Sequence, residues 1–307
     1  MADKIKIICV VGATASGKTS LSIELAKALD GEIISADSMQ VYKNMPIATA
    51  VATSDEQQGI PHHLTEFLDN DQNFSVADFT KLAAEKIKDI SSRGKVPIIV
   101  GGTGLFVDSL VKNITFSDVG VNQQIRDSLV SKDTDELYDL LLSVDENAAK
   151  DIHKNNRKRV IRALELYYGG VSKTQQNLQS TAQESPYDAL YIGINYNNRQ
   201  SLYDRINLRV DLMLEQGIVD EAKSVFANST GTAKQAIGHK ELMPYINGEI
   251  SLEQAADNLK KETRHYAKRQ LTWFRRNENI NWLYADLVSK DELVDNAILL
   301  CKNFMKG

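Results

Sequence analysis

At 307 residues the chain is long enough for one large or two medium domains. Its 42% hydrophobic and 25% charged content is that of an ordinary globular protein, and no apolar run approaches the roughly 20 residues of a membrane span. A net charge of −5 excludes a general positive field for nucleic acid, so such a partner has to be held by local basic faces.

The first apolar run, Ile5 to Val11, has the length of a strand. It is too short for a secretory signal and no cleavage pattern follows, so the expected compartment is the cytoplasm. Next comes Gly12-Ala13-Thr14-Ala15-Ser16-Gly17-Lys18-Thr19, which fits the phosphate-cradling P-loop pattern G-x-x-x-x-G-K-[ST]. Leu21, Leu25 and Leu29 then recur on one helical face, with Gly31 placed to close the helix. In that setting the loop amides and the helix start attract anionic oxygens, Lys18 holds a terminal phosphate and the Thr19 hydroxyl binds Mg²⁺. A second strand, Gly31 to Ser35, leads to Asp37. Its carboxylate is suited to accepting a proton or organising Mg²⁺; the other reading is a local turn with Ser38. His62-His63 has no further ligands at metal spacing, which leaves a structural or substrate-contact role.

Ser75-Val76-Ala77-Asp78 resembles a capping box, and Phe79, Leu82, Ala83, Ile87 and Ile90 mark a helix that stops near Gly94. Val96 to Val100 is a third strand. It ends in Gly101-Gly102-Thr103-Gly104, where a P-loop ATPase or kinase would keep a metal-holding aspartate. The missing acid argues against those activities. The glycines suggest close backbone approach to a ligand, with a plain turn as the alternative. These elements predict an α/β fold: a P-loop NTPase-like parallel sheet flanked by helices, with three loops converging beyond the carboxyl ends of the strands.

Residues 117–187 change texture and are expected to form an inserted helical module, with 1–116 and 188–307 as the core. Within it, His153 to Arg162 displays cations beside an apolar side of Val160, Ile161, Leu164, Tyr167 and Tyr168. Thr174 to Pro186 lacks an apolar period and reads as a mobile connection. Ala189 to Ile194 is a returning strand and Ile280 to Tyr284 a last one. A second basic stripe carries Lys261, Arg264, Lys268 and Arg275, with Leu259, Tyr266, Trp273 and Phe274 on the other side. Trp273 and Phe274 are expected in the core. Both stripes suit phosphate contact. Cys9 and Cys301, far apart, are read as apolar fillers, not as a disulfide or zinc site.

Several strings together resemble the tRNA dimethylallyltransferases, also called tRNA isopentenyltransferases. They are Gly12 to Thr19, Ile33 to Tyr42 with Asp37-Ser38-Met39-Gln40, Gly59 to Leu64, Gly101 to Leu105, Arg159 to Glu165 and Ala267 to Arg275. The likeness spans nearly the whole chain, and the lack of the carboxyl-terminal zinc finger of eukaryotic members makes it a likeness to the bacterial type. The resemblance implies Mg²⁺-dependent transfer of a dimethylallyl group from dimethylallyl diphosphate to N6 of the adenosine 3′ to the anticodon, tRNA position 37, in tRNAs reading codons that begin with U. The implied P-loop ligand is the donor diphosphate. Asp37 is implied as general base, and Thr103 as assisting at the donor's bridging oxygen or at the amine. Asp37, Ser38, Met39, Gln40, Thr103, Arg126, Lys158, Arg159, Val160, Ile161 and Arg162 are implied contacts to the anticodon stem-loop, with Lys268 and Arg275 added from the second stripe. A monomer is expected.

The chain departs from the family pattern at Gln235, where many members carry a diphosphate-binding arginine, at His239 in place of tyrosine, and at Val51 in place of lysine. Rival readings are an isopentenyltransferase for free adenine nucleotides, a small-molecule kinase, and a non-catalytic RNA-binding protein.

Overall fold

The strands β1 (Ile5–Gly12), β2 (Gly31–Ser35), β3 (His62–His63), β4 (Val96–Gly101), β5 (Tyr187–Asn195) and β6 (Ile280–Tyr284) pair in parallel in the order β3-β2-β4-β1-β5-β6. This computed structural model describes residues 4–116, 120, 122–180, 184–229 and 231–307. The chain divides into two compact units, Met1–Val111 with Pro186–Gly307 and Lys112–Ser185. Around the sheet in the first unit lie α1 (Lys18–Leu29), α2 (Pro46–Thr49), α3 (Ser54–Gln57), α4 (Val76–Ser92) and α5 (Gly104–Val111). The second unit holds α6 (Gln123–Val130), α7 (Thr134–Val144), α8 (Glu146–Asp151), α9 (Arg157–Tyr168) and α10 (Lys173–Ser180). Back in the first unit follow α11 (Arg199–Glu215), α12 (Ile218–Asn228), a 3₁₀ turn (Thr232–Gln235), α13 (His239–Ile246), α14 (Leu252–Phe274) and α15 (Lys290–Lys306).

Parallel strands bury both faces, so β1 reads as a continuous apolar run and its side chains alternate between two cores. Ile7, Cys9 and Val11 pack with Ile34, Ile99 and the inner faces of α4 and α5 (Phe79, Ala83, Ile87, Phe106). Ile8 and Val10 pack with Ile33, Ile98, Ile192 and residues of α1 and α15, including Leu25, Leu293 and Cys301. Cys9 and Cys301 are thus fully buried filler. The register pairs Gly12 with Ile194, Val11 with Gly101 and Ser35 with Val100. It brings the P-loop, the Asp37 loop and the Thr103 loop to one edge of the sheet.

Three expectations need correcting. Asp30, not Gly31, closes α1, adopting a left-handed conformation at φ 49°. Gly31 is instead a strand residue where a Cβ would come within 2.9 Å of Val96 O. Much of the stretch read as a mobile connection is α10; residues 181–183 lie outside the described residues. Polar anchors replace the missing apolar stripe there. The Thr174 amide and hydroxyl donate to the Asp145 carboxylate, while Ser172 and Gln175 exchange side chain-to-backbone bonds across the first turn. Tyr167 and Tyr168 are exposed, whereas Val160, Ile161 and Leu164 join Leu129, Leu137, Leu141 and Ala148 in the core of the second unit.

The His62-His63 pair forms the edge strand β3 beside β2. His63 Nε2 lies 2.8 Å from Glu32 Oε2, and Arg93 grips the same carboxylate with two nitrogens at 2.5 and 2.8 Å. Lys95 adds a contact at 3.3 Å. The Arg93 guanidinium overcomes burial and, with His63 and Lys95, holds the Glu32 carboxyl well below the ordinary carboxylate range. Its stabilising contribution is therefore complete above that range and is lost as acid protonates the folded protein. Glu32→Gln is expected to cost about 1.5–3 kcal/mol at neutral pH by denaturant unfolding, with the gap to wild type closing at acid pH. Equal midpoints at pH 7 would contradict this account.

Candidate active site

The P-loop leaves β1 and enters α1 through Gly17, whose φ of 101° a side chain would strain. No side chain caps α1 and its first turn contains no acid. Its leading amides, which lack intrahelical acceptors, suit an anion. Ser16 Oγ is buried without a protein partner, a further orphaned group at the cradle. The loop is held from beneath and behind. Ala13 is fully buried against Leu202, Ile206 and Ala267, so only its backbone is available to a ligand. Arg205 donates to Ala15 O at 2.9 Å and Tyr196 to Ser16 O at 3.4 Å. The Lys18 ammonium donates to Ala13 O at 2.6 Å. Burial pushes its pKa down to about 8, Asp37 opposes that shift and Arg209 adds to it. Lys18, Asp37 and Arg209 thus act on one another.

Asp37 follows β2 and turns its Oδ1 to accept the Met39 amide at 2.9 Å, a local turn of the kind the sequence offered as one reading. Thr103 lies beside it: its amide donates to Ala36 O at 3.3 Å, and its Oγ1 accepts the Ser38 amide at 3.2 Å. The glycines around Thr103 make room for protein, not for a ligand as expected. Added Cβ atoms would come within 2.2 Å of Ala36 O at Gly101, 2.0 Å of the Gln270 amide at Gly102 and 2.2 Å of the Trp273 ring at Gly104. Gln40 is also spent internally, accepting from Ser35 and donating to Thr49 O and Ala50 O.

Gln270 of α14 straps the two sides of the site together. Its Oε1 accepts the Thr14 amide at 2.8 Å and its Nε2 donates to Gly102 O at 3.0 Å. Gln270→Ala leaves both groups without their partner and frees the loops to move apart. Activity at the site is expected to fall on the order of 10²-fold, as for a misplacement of about 1 Å. Thermal melting separates this from unfolding, and undiminished activity would show the strap to be dispensable. Tyr266, one turn earlier, neighbours the Thr103 hydroxyl and the Gln270 amide; burial, then the Asp37 charge, raises its phenol pKa.

Thr14, Asp37, Ser38, Met39, Arg209 and Tyr266 line a cavity of about 280 Å³; Lys18, Gln40, Thr103 and Gln270 are not part of its wall. The rest of the wall sets Val210, Met213, Ile237 and Leu259 beside the polar Thr49, Gln235 and Thr263 and the cations Lys240 and Arg269. Arg209 and Tyr266 were not singled out as site residues from the sequence. The signal for Arg209 was present: in α11 it sits among Leu202, Ile206, Val210 and Met213, the buried positions of the helix, where a cation is out of place.

Residues 40–277 match the family model described as IPP transferase. The chain belongs to the IPP transferase family. A tRNA dimethylallyltransferase of Caldanaerobacter subterraneus is 46% identical over 291 residues, which cover 92% of each chain. Among solved structures, the tRNA isopentenylpyrophosphate transferase of Bacillus halodurans superposes with a TM-score of 0.75 at 42% identity, covering 99% of this chain and 97% of that one. A eukaryotic dimethylallyltransferase acting on tRNA gives 0.86 at 33% identity, covering 98% of this chain and 79% of the other.

In this IPP transferase the remaining sequence-derived positions fall into distinct settings. In the second unit Lys158 and Arg159 are exposed, whereas Val160 and Ile161 have buried side chains and cannot present them to RNA. Arg126 and Arg162 converge on the buried Glu165 at 3.2 and 3.1 Å. In the first unit Lys268 and Arg275 are exposed, Arg275 capping α14. Lys268 borders a surface pocket with Arg269, Thr272, Trp273 and Arg276. Phe274 is buried as expected, while Trp273 is partly buried and donates to Asp108 Oδ2 at 3.0 Å. Of the departures, Gln235 lines the central cavity. His239 is fully buried and pairs at 2.7 Å with Glu221, which also accepts the Ile47 and Ala48 amides. Among the described residues no helix is long and apolar enough to cross a membrane.

Proposed function

We propose that this chain transfers the dimethylallyl group of dimethylallyl diphosphate to N6 of the adenosine at position 37 of tRNA, acting as a Mg²⁺-dependent monomer on the anticodon stem-loop. The observation that carries this reading is a phosphate cradle and a strand-end carboxylate opening on one cavity: Thr14 and Asp37 both line it, and Lys18 feels the Asp37 charge. A kinase would keep its metal-holding acid after β4, where this chain has Gly101-Gly102-Thr103.

In the reaction the allylic C1–O bond breaks and its electron pair leaves with the diphosphate. The N6 lone pair forms the new N–C1 bond, and the N6 proton passes to the Asp37 carboxylate. Lys18 and the loop amides stabilise charge growing on the diphosphate, where fixed donors act most strongly. The Thr103 hydroxyl, already tied to the Ser38 amide, keeps the Asp37 turn in place. Met39, Val210, Met213, Ile237 and Leu259 offer the five-carbon chain an apolar wall that keeps water from the allylic cation.

Among the described residues no cluster of three or more His, Cys, Asp or Glu forms a metal cage. A hard ion that arrives on diphosphate oxygens needs few protein ligands, and Thr19, exposed at the start of α1, is the hydroxyl donor at hand. When bound, Mg²⁺ supplies further charge neutralisation at the departing diphosphate.

Unmodified tRNA, labelled dimethylallyl diphosphate and Mg²⁺ are expected to yield N6-(dimethylallyl)adenosine, read by mass spectrometry of digested nucleosides. Product from AMP but none from tRNA would favour the free-nucleotide reading instead. Lys158→Ala and Arg159→Ala should each weaken tRNA binding and reduce the salt slope by about 0.9, the share of one neutralised phosphate. Unchanged slopes in both would remove those side chains from the interface.

A further inference from the structure

One buried carboxylate outside the reacting centre joins two segments of the cavity wall. Helix α2 begins with Pro46, which has no amide hydrogen, and its N-cap Met45 offers no side-chain acceptor. The next two amides, of Ile47 and Ala48, donate instead to Glu221 of α12, at 2.8 Å to Oε2 and 2.9 Å to Oε1. The same Oε1 lies 2.7 Å from His239 Nε2 at the start of α13. A carboxylate only accepts, so Nε2 carries the proton. His239 Nδ1 is buried without a partner, so the ring is anchored through Nε2 alone. The Glu221 side chain is 7% exposed and that of His239 is fully enclosed.

Both segments that meet at Glu221 border the cavity. Ala48 and Thr49 of α2 line one part of its wall, and Gln235, Ala236 and Ile237, just ahead of α13, line another. They approach each other at Gly238, where an added Cβ would come 3.4 Å from Ala48 Cβ. Ala48 and Ile237 pack into one apolar cluster with Val210, Met213 and Leu259, the side chains that would face the prenyl chain. The far end of α2 is tied down as well, since Gln40 donates to Thr49 O and Ala50 O. A pocket rejects a longer chain only while its wall cannot yield. The Glu221–His239 pair denies α2 and α13 the room to separate.

We infer that Glu221, with His239 behind it, is a positioning pair that sets the length of prenyl chain the cavity accepts. This role rests on the function proposed above for the identity of the donor. Dimethylallyl and geranyl diphosphate are titrated in turn by calorimetry with Mg²⁺. An anticodon stem-loop with guanosine at position 37 is present; it offers no N6 amine, so nothing is transferred. Wild type is expected to favour the five-carbon donor. Glu221→Gln sets an amide NH₂ against one of the three donors and should cut that preference by about tenfold or more, the scale on which an apolar pocket tells chains apart. His239→Leu leaves Glu221 its two amides and should cut the preference less. His239→Gln offers an N–H close to the place of Nε2 and should restore it. Inorganic pyrophosphate should bind every variant alike. The two variants at 239 decide the matter if Glu221→Gln does not fold. A preference unchanged in folded variants overturns the inference and leaves the pair a stabilising contact, as does a wild type that binds both donors alike. Pyrophosphate affinity that falls in step with donor affinity also overturns it, by placing the effect at the phosphate cradle. Wild type that prefers dimethylallyl diphosphate yet prenylates no tRNA fails the proposed function, while the variants still decide the role of the pair.

Discussion

Asp37→Asn is expected to slow prenyl transfer by about 10²–10⁴-fold, the usual contribution of a positioned general base. An exocyclic adenine amine is a weak nucleophile because its lone pair is delocalised into the ring. Removing its proton as the N–C bond forms is the help that a carboxylate can give. The Asp37 turn is suited to this test, because asparagine retains an oxygen to accept the Met39 amide and so preserves the loop. Donor binding should not suffer. Loss of the one acid on the cavity wall leaves Lys18 and Arg209 less neutralised, so the KM for dimethylallyl diphosphate should hold or fall. Single-turnover rates with labelled donor separate the two quantities. Full single-turnover activity in the variant would exclude Asp37 as the base.

The P-loop and Asp37 were legible in the sequence for a local reason. A backbone that wraps an anion needs glycine at fixed spacing, and the place of Asp37 at the sheet edge follows from the apolar strand that ends just before it. The strands β2, β4 and β6 were legible from their apolar runs, and the capping box at Ser75 from its spacing. What the sequence concealed depends on distant partners. Gln270 joins Thr14 to Gly102 across 256 and 168 residues, and no local pattern announces such a strap. The glycines at 101, 102 and 104 look like ligand-binding glycines, because clearance for Ala36, Gln270 and Trp273 leaves the same mark in sequence. α10 was missed because its anchors are polar and one of them, Asp145, lies 29 residues away. Val160 and Ile161 fell inside a family motif for RNA contact, yet they belong to the apolar stripe that the same motif needs in order to fold.

Lys18→Ala is expected to reduce kcat/KM for the donor on the order of 10²–10³-fold, the loss seen when one donor to a developing anion is removed. The lysine also predicts a pH dependence with a definite sign. Burial, with a smaller push from Arg209, brings its pKa from 10.5 down to about 8. In the free protein the ammonium is therefore intact below pH 8 and lost progressively above it. A bound diphosphate favours the charged form, so pyrophosphate affinity should decline as pH rises through this region, by at most about tenfold per unit for one linked proton. Folding stability moves the other way. Between pH 8 and 10.5 the unfolded chain holds a proton that the folded chain has released, so this residue makes the free protein more stable as pH rises. Pyrophosphate titration and thermal melting across that interval test both signs, and Lys18→Ala should flatten the two profiles together. Profiles that keep their slopes in the variant would assign the titration to another group and leave Lys18 a purely steric part of the loop.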